Sequence, residues 1–390
     1  MTHKGGFRFP LHPEGAAVEM GLGDNLRITL FGESHGPAVG ALVEGIPTGT
    51  PIDVETLMAD LSRRKPGRRL LSARAEDDEV EILSGVHEGH ATGWPILLVA
   101  RNQDARTRDY AFLPDHPRPG HADLPESERS DGKADLRGGG THSGRLTLGI
   151  VAGSAIVRPL LDSAGIEVTA HVTAIGEAKA APLTELLANP SGFHSLANLD
   201  DLEEAHPCRL LNCLDEDAAA KMLNVVFELR SQGDSIGSTV EAVITGLPLG
   251  LGEPWFEGIE PALARALMAI PAARAVEFGR GTNAATMRGS EHNDPWVKSE
   301  GDAIAVPSGD GADGALGGLA TGAPLRVRVH FKPPSSISIP QETLNVSSGE
   351  METLVIGGRH DPTIGPRAAP VVEGMCRLVV SDLLQGREQA

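Results

Sequence analysis

The sequence contains few aromatic residues and little positive charge. Its 390 residues include 3 Trp, 1 Tyr and 9 Phe, and 34 basic residues stand against 53 acidic ones, for a net charge of −19. Proteins that bind nucleic acids use a positive surface against the phosphates and aromatic rings for base stacking. The composition therefore argues against a nucleic-acid partner, and a small anionic ligand requires a locally basic pocket.

Cysteine is scarce as well, and long apolar runs are absent. Cys208, Cys213 and Cys376 form no CxxC pair and are odd in number, which is typical of a reducing compartment. Residues 1–20 lack the apolar run of a signal peptide, and no stretch approaches the roughly 18 apolar residues of a membrane span. We expect a cytoplasmic protein with no membrane partner.

Strand and helix patterns are mixed along the chain. LRVRVHF at 325–331 alternates apolar and polar residues, as a half-buried antiparallel strand does. Asp53 can cap a helix over 54–64, and Asp217 can cap one that runs to about residue 230. Further helices are predicted from 145 to 163, from 260 to about 275 and from 365 to about 384, before Gly386. The lack of strict βα alternation predicts an α+β fold.

The chain contains an internal repeat. Residues 32–47 (GESHGPAVGALVEGIP) and 233–248 (GDSIGSTVEAVITGLP) are identical at seven of sixteen positions, at an offset of 201. A second echo joins GHATGWPILLV at 89–99 to GLATGAPLRVR at 318–328. We infer a duplicated unit of about half the chain, with pseudo-repeats of about 22–200 and 201–390 in one domain over 22–390.

Both copies of the repeat begin with GxSxG, the nucleophile pattern of α/β-hydrolases. Two copies cannot both be nucleophile elbows, so a serine hydrolase acting through Ser34 is kept only as an alternative. The copies differ at the fourth position, where His35 in the first corresponds to Ile236 in the second. His35 is thus a candidate proton donor on one side of a duplicated scaffold.

Four further segments carry groups suited to anions. RPGHAD at 118–123 offers an arginine and a histidine in a shaped turn, and residues 63–69 contain five cations that end a predicted helix. RGGG at 137–140 precedes a helix, where exposed amides bind phosphate. GGRHDP at 357–362 and KPPSS at 332–336 are taken together as the last candidate, because they bring an arginine, a histidine, a lysine and two serines. The histidines also leave a metal-dependent lyase open, although they lack a zinc-binding spacing.

Together these segments, with RGSEHND at 288–294, resemble the chorismate synthase family over about residues 22–385. The resemblance implies that residues 1–21, which have no counterpart in the family, form a flexible N-terminal extension. The resemblance implies an anti 1,4-elimination of phosphate from 5-enolpyruvylshikimate 3-phosphate to give chorismate. Reduced FMN is required in that reaction, and the resemblance leaves open whether NADPH reduces it on the protein. It also implies a homotetramer of chains in which two antiparallel β-sheets sandwich a helical layer.

The resemblance assigns roles residue by residue. His35 would protonate the leaving phosphate, His121 would protonate or stabilise the reduced flavin, and Asp361 would assist removal of the C6 proton through flavin N5. The substrate would be held by Arg64, Arg69, Arg118 and Arg145. The flavin would be held by Thr141, His142, Ser143, Pro271, Ala272, Gly317, Lys332, Pro333, Pro334, Ser335, Ser336 and Arg359, and no metal is implied.

Several of the implied flavin positions depart from the family pattern. They are Thr141, Leu146, Pro271, Asp313 and Pro334. An Asp beside a flavin phosphate would repel it. A catalytically impaired relative that still binds phosphoanions is therefore the second alternative.

Overall fold

Two five-stranded antiparallel sheets form the frame of the computed structural model, which describes residues 19–65, 79–103, 107–188, 194, 199, 201–298, 305–307, 313–358 and 360–389. The first sheet has the order β1-β2-β3-β7-β4, from β1 (Gly21–Leu22), β2 (Arg27–Gly32), β3 (Ala38–Glu44), β4 (Val80–Ile82) and β7 (Ile96–Arg101). The second has the order β11-β16-β10-β8-β9, from β8 (Glu167–Ile175), β9 (Ala178–Lys179), β10 (Ser238–Thr245), β11 (Ala273–Phe278) and β16 (Leu325–Phe331).

Short hairpins and helices complete the described part of the chain. The paired hairpin strands are β5 (Val86–His87) with β6 (His90–Ala91), β12 (Trp296–Lys298) with β13 (Ala305–Pro307), β14 (Ala315–Leu316) with β15 (Leu319–Ala320), and β17 (Gln341–Leu344) with β18 (Met351–Leu354). The helices are α1 (Val54–Arg64), α2 (Asp123–Arg129), α3 (Thr147–Ser163), α4 (Leu183–Ala188), α5 (Pro207–Leu211), α6 (Glu216–Gln232), α7 (Ile259–Met268), α8 (Gly289–His292) and α9 (Gly365–Gln389).

The two sheets share one strand order. Read from the β1 edge and from the β9 edge, corresponding strands occupy the same places, with β3 matched by β10 and β7 by β16. The pairing register is also the same: Ala41 faces Leu98, and their counterparts Ala242 and Val327 face each other. β8 precedes residue 200 yet pairs with β10 in the second sheet, so the predicted repeat boundary at about residue 200 does not coincide with the division into sheets.

A helical layer lies between the sheets, as the α+β fold class predicted. α3 packs on β2, β3 and β7, α9 packs on β8 and β10, and the two helices contact each other and α1. Gly149 lets α3 approach the first sheet, because a Cβ there would lie 2.8 Å from the Gly40 carbonyl oxygen. The segment Gly144–Ser163 is long and apolar enough to cross a membrane by length and composition, but 72% of its 18-residue apolar window is buried inside the fold.

Local signals placed most helix ends correctly, with three exceptions. Asp53 caps α1 as predicted, accepting bonds from the amides of Glu55 and Thr56 at 2.9 and 3.1 Å. α6 begins earlier than predicted, with Asp215 rather than Asp217 as its N-cap. α7 ends at Met268, short of residue 275, because the chain passes Pro271 and enters β11. α9 continues past Gly386 to Gln389.

Part of the basic segment at 63–69 stabilises the helical layer. Arg63 binds Glu373 of α9 through two hydrogen bonds of 3.0 Å. Arg377 bonds to Glu373 at 2.5 Å and to Asp60 of α1 at 2.8 Å. Glu373 is fully buried, and burial raises its pKa, but Arg377 and Arg63 outweigh this effect and leave the pKa below its ordinary value. These four side chains form a buried network that joins α1 to α9.

Candidate active site

The glycine loop at 137–140 lies against the loop that carries His35. The amide of Ser34 donates to the Gly140 carbonyl at 3.2 Å, and Ser34 Oγ donates to the Arg137 carbonyl at 3.2 Å. Gly138 has φ of +60°, and a Cβ there would lie 2.2 Å from Ser34 Oγ and 2.5 Å from Nδ1 of His35. Only glycine permits this approach, both for its backbone conformation and for lack of space.

His121 lies on the other side of the same loop. At Gly139, where φ is +89°, a Cβ would be 3.4 Å from Nε2 of His121. Nδ1 of His121 is 2.7 Å from Asp123 Oδ1 and 3.1 Å from Nη2 of Arg118. A proton on Nδ1 is therefore donated to Asp123, and Nε2 is left to face the glycine loop. The loop thus separates the two histidines that the family resemblance places in catalysis.

Arg118 serves the protein's own groups. Its Nε and Nη2 each donate to Asp123 at 2.7 Å, and its Nη1 donates to Ser336 Oγ at 3.1 Å. Burial raises the pKa of Asp123, but hydrogen bonds from Arg118 and His121 outweigh it and hold that pKa well below its ordinary value. Asp123 is therefore a buried carboxylate that stays ionised beside His121.

Helix α2 places a second carboxylate beside a second histidine. Glu126, three residues after Asp123, lies 2.9 Å from Nε2 of His142 and accepts bonds of 2.8 and 2.7 Å from Arg129. The bonds from Arg129 lower the pKa of Glu126 against the effect of burial, and His142 adds to the lowering. One turn of helix therefore supplies an ionised oxygen to each of two imidazoles.

A cleft of about 680 Å³ opens beside these groups. Its lining combines an apolar wall that includes Ile270, Ile364 and Val371 with two arginines, Arg274 and Arg367. The structure brings into this cleft the following residues that the resemblance assigned: His121, Thr141, His142, Pro271, Ala272, Lys332, Pro333, Pro334 and Ser335. Residues from widely separated parts of the sequence thus meet at one site.

Lys332 ties two of these segments together. Its Nζ donates to the Gly120 carbonyl and, at 3.0 Å, to Ser335 Oγ, which itself donates to Gly120 at 2.7 Å. Burial lowers the pKa of Lys332, and the nearby charge of Arg274 lowers it further. The KPPSS segment is therefore fixed against the turn that carries His121.

Asp361 lies at the wall between this cleft and a smaller one. Its Oδ2 accepts a hydrogen bond of 2.6 Å from Nη1 of Arg367, which lines the large cleft. Asp361 itself lines a cleft of about 240 Å³ together with Ser336, His360 and Arg230. Arg367 therefore connects the carboxylate to the large cleft.

The second copy of the repeat supports this wall. Ser235 Oγ donates to the Pro334 carbonyl at 2.8 Å, and the amide of Ile236 donates to the Pro362 carbonyl at 2.8 Å. In both copies, then, the serine of GxSxG donates to a backbone carbonyl of a neighbouring loop. This shared structural use of Ser34 and Ser235 does not favour the serine-hydrolase alternative.

Other predicted positions fall elsewhere. Arg64 is 1% exposed and donates to Thr147 Oγ1 and to the Gly144 carbonyl, both at 3.1 Å, at the start of α3. Arg145 donates to Asn102 Oδ1 at 3.2 Å. Seven assigned residues are not among those described as lining the large cleft: His35, Arg64, Arg118, Arg145, Ser143, Ser336 and Gly317. Two more, Arg69 and Arg359, lie outside the part of the chain that the structure describes.

Two findings were not anticipated from the sequence. Tyr110, the single tyrosine of the chain, packs edge-on against the His35 ring at 5.1 Å and lies 5.6 Å below the Arg118 guanidinium. Asp313, expected to repel a flavin phosphate, lies 3.3 Å from Nε2 of His292 and is not among the described residues of the large cleft.

Comparison with known proteins places these features in one family. The family model described as chorismate synthase matches residues 26–384. The chorismate synthase of Aeropyrum pernix is 46% identical over 370 residues, covering 94% of this chain and 93% of the relative. That of Methanopyrus kandleri is 43% identical over 369 residues, covering 93% and 91%. A crystal structure of chorismate synthase superposes with a TM-score of 0.70 at 28% identity, covering 94% of this chain and 93% of that one. The chain belongs to the chorismate synthase family.

Proposed function

We propose that this protein is a chorismate synthase, a carbon–oxygen lyase acting on phosphate. It converts 5-enolpyruvylshikimate 3-phosphate into chorismate by anti 1,4-elimination. The family is one of flavin-dependent enzymes with a small-molecule substrate. The observation that carries the proposal is the cleft, where nine residues assigned by the resemblance meet beside a glycine loop flanked by two histidines.

The residues present fit reduced FMN. The apolar wall formed by Ile270, Pro271, Ile364 and neighbouring side chains suits a flat aromatic ring, and Arg274 and Lys332 suit a phosphate. When bound, reduced FMN would supply the electron-rich ring that the elimination requires. Thr141 and Ser335 add hydroxyl groups, and His142, held by Glu126, adds an imidazole.

The phosphate leaves beside the glycine loop. Amides before a helix stabilise the negative charge that develops on the departing oxygen, which is the type of stabilisation expected to lower the barrier most. His35 donates a proton there, and Ser34 Oγ, 2.9 Å from its Nδ1, together with the Tyr110 ring fixes the plane of the imidazole. The start of α3 is shaped by Arg64, through its bond to Thr147, and by Arg145, through its bond to Asn102.

His121 and Asp361 act on the opposite side of the loop. Asp123 orients His121 so that one ring nitrogen is free to hold a proton at the cleft. Asp361, fixed by Arg367, assists removal of the C6 proton of the substrate. Arg118 helps to orient His121, because it binds both Asp123 and Ser336.

The assembly and location form the last part of this proposal. Three bulky side chains are largely exposed, Trp94 at 76%, Trp255 at 80% and Phe256 at 86%, and this supports burial between copies of the chain in a homotetramer. The three cysteines are free and buried, which supports a cytoplasmic location.

An anaerobic assay tests the reaction. Purified protein is mixed with substrate and chemically reduced FMN, and phosphate release and chorismate absorbance are followed together. Equal amounts of both products, lost when FMN is omitted, support the proposal; binding of FMN without turnover identifies the impaired relative. Turnover with NADPH in place of the chemical reductant assigns flavin reduction to this chain, and its absence assigns reduction to another source.

A further inference from the structure

A second cluster of reactive side chains lies away from the cleft. His194, His206 and Cys208 each present one donor atom, and the three atoms lie within 4.8 Å of one another. Among the described residues, this is the one group of three histidine, cysteine or acidic side chains that converges in this way. It was not anticipated from the sequence, where the spacing resembles no common metal motif.

The cluster is built on fixed backbone. The His194 amide donates to the Leu214 carbonyl at 3.1 Å, and His206 is the N-cap of α5, its Nδ1 accepting the Cys208 amide at 3.3 Å. Cys208 is fully buried at the bottom of the cluster, whereas the two imidazoles are about a quarter exposed, at 25% and 22%. The donors are therefore held from three points of the chain and stay open to solvent on one side.

A carboxylate completes the set. Glu216, the first residue of α6, lies 3.4 Å from Nε2 of His194 and 3.5 Å from Nε2 of His206. The thiolate of Cys208 and this carboxylate together carry the two negative charges that balance a divalent cation. Glu216 serves either as a fourth ligand or as the acceptor that orients the ligating imidazoles.

We infer that His194, His206 and Cys208, with Glu216, form a binding site for a zinc-type divalent ion. Imidazole and thiolate donors favour such an ion over magnesium or calcium, which take oxygen ligands. Zinc holds nitrogen and sulfur about 2.0 to 2.3 Å away, so donors within 4.8 Å of one another close on one ion through small side-chain rotations. Binding forms the metal–sulfur bond and releases the thiol proton of Cys208 to solvent. The ion ties His194 to α5 and α6, and none of its ligands is among the residues described as lining the catalytic cleft.

Cobalt(II) tests the site because its bond to a thiolate gives a charge-transfer band in the near ultraviolet. The full-length protein is stripped with a chelator and titrated with cobalt chloride, then with zinc chloride as competitor. We expect one equivalent of cobalt to bind with this band, and zinc to abolish it. Cys208→Ser should remove the band, and His194→Ala and His206→Ala should each weaken binding by at least about tenfold.

Cys213→Ser is the matched control, since Cys213 is also buried and free but lies outside the cluster. It should bind cobalt like the unmodified protein. Circular dichroism checks the fold of each variant, and His194→Ala supplies a second arm should Cys208→Ser fail to fold. The inference is overturned if the unmodified protein shows no charge-transfer band, or if the band survives Cys208→Ser. Neither result depends on turnover, so the test is independent of the proposed function.

Discussion

Replacing Asp123 by Asn tests the proposed positioning of His121. The Asp123 side chain is 2% exposed, accepts three hydrogen bonds of 3.0, 2.7 and 2.7 Å from Arg118, and lies 2.7 Å from Nδ1 of His121. Asparagine keeps its volume but removes the negative charge and presents an NH2 group to these donors. The guanidinium of Arg118 is then left buried without its counter-charge.

Two effects of different size follow from this change. Removing one partner of a buried ion pair costs about 3 to 5 kcal/mol of the free energy of unfolding. Loss of the oriented imidazole lowers turnover by about 10²- to 10⁴-fold, the usual contribution of a positioned acid or base. Urea unfolding measures the first effect, and the anaerobic phosphate-release assay measures the second.

The stability effect has a defined pH dependence. Because the pKa of Asp123 in the folded protein lies well below the ordinary value of 3.8, the ionised carboxyl stabilises the fold fully above about pH 4. That stabilisation is lost as the pH falls towards the folded-state pKa. The difference in unfolding free energy between the unmodified protein and Asp123→Asn should therefore be constant from about pH 5 to 8 and shrink below about pH 4.

Asp382→Asn is the matched control. Asp382 Oδ1 accepts three backbone amides, those of Asp24, Asn25 and Leu26, at 3.1, 2.7 and 2.9 Å, and Asp382 is not among the described residues of the cleft. This variant should lose stability but keep its turnover. Wild-type turnover in folded Asp123→Asn would refute the positioning of His121 by this carboxylate.

Three further predictions concern the glycine loop, α2 and the buried charges. Gly138→Ala should lower turnover at least about 100-fold, because the new Cβ would clash with Ser34 and His35. Gly132→Ala is the control: with φ of +71° and open space around it, this change should cost only about 1 to 2 kcal/mol of stability and leave turnover unchanged. Equal activity in both variants would contradict the proposed role of the glycine loop. Glu126→Gln should weaken FMN binding about tenfold in a fluorescence titration, because the imidazole of His142 loses its ionised partner; unchanged affinity would remove His142 from the flavin site. Glu373→Gln should lower the free energy of unfolding in urea by about 3 to 5 kcal/mol, because Arg63 and Arg377 would lose the counter-charge that they share. A loss below about 1 kcal/mol would contradict this explanation.

Much of the fold could be predicted because local and repeated signals agree. The alternation of apolar and polar residues in 325–331 predicts β16 with both of its ends. The two sequence echoes fall on strands at matching places in the two sheets, β3 with β10 and β7 with β16. The start of α6 could not be predicted locally, since Asp215 and Asp217 are both good caps. Asp215 is the N-cap: one of its carboxylate oxygens accepts the amide of Ala218 at 3.0 Å, and the other accepts the amide of Ala181, far away in sequence, at 3.1 Å.

The sequence predicted many of the residues of the site, but few of the hydrogen-bond partners that orient them. The resemblance located nine residues of the cleft, but the partners that orient them come from tertiary approach. Asp123 stands two residues after His121, so its spacing was a visible signal, whereas nothing local connects Glu126 to His142 or Arg367 to Asp361. Tyr110 was marked only by being the one tyrosine in the sequence.

The two serine loops differ in the use of their fourth residue, which the proposed duplication would explain. A half-length ancestor that paired with itself would have carried the same loop twice, so any change in one copy would have appeared in both. Fusion into one chain removes that constraint. His35 now stands in one loop, while Ile236 in the other packs against Gly176, where a Cβ would lie 2.5 Å from Ile236 Cδ1. The same loop position thus holds the proposed proton donor in one copy and an apolar packing residue in the other.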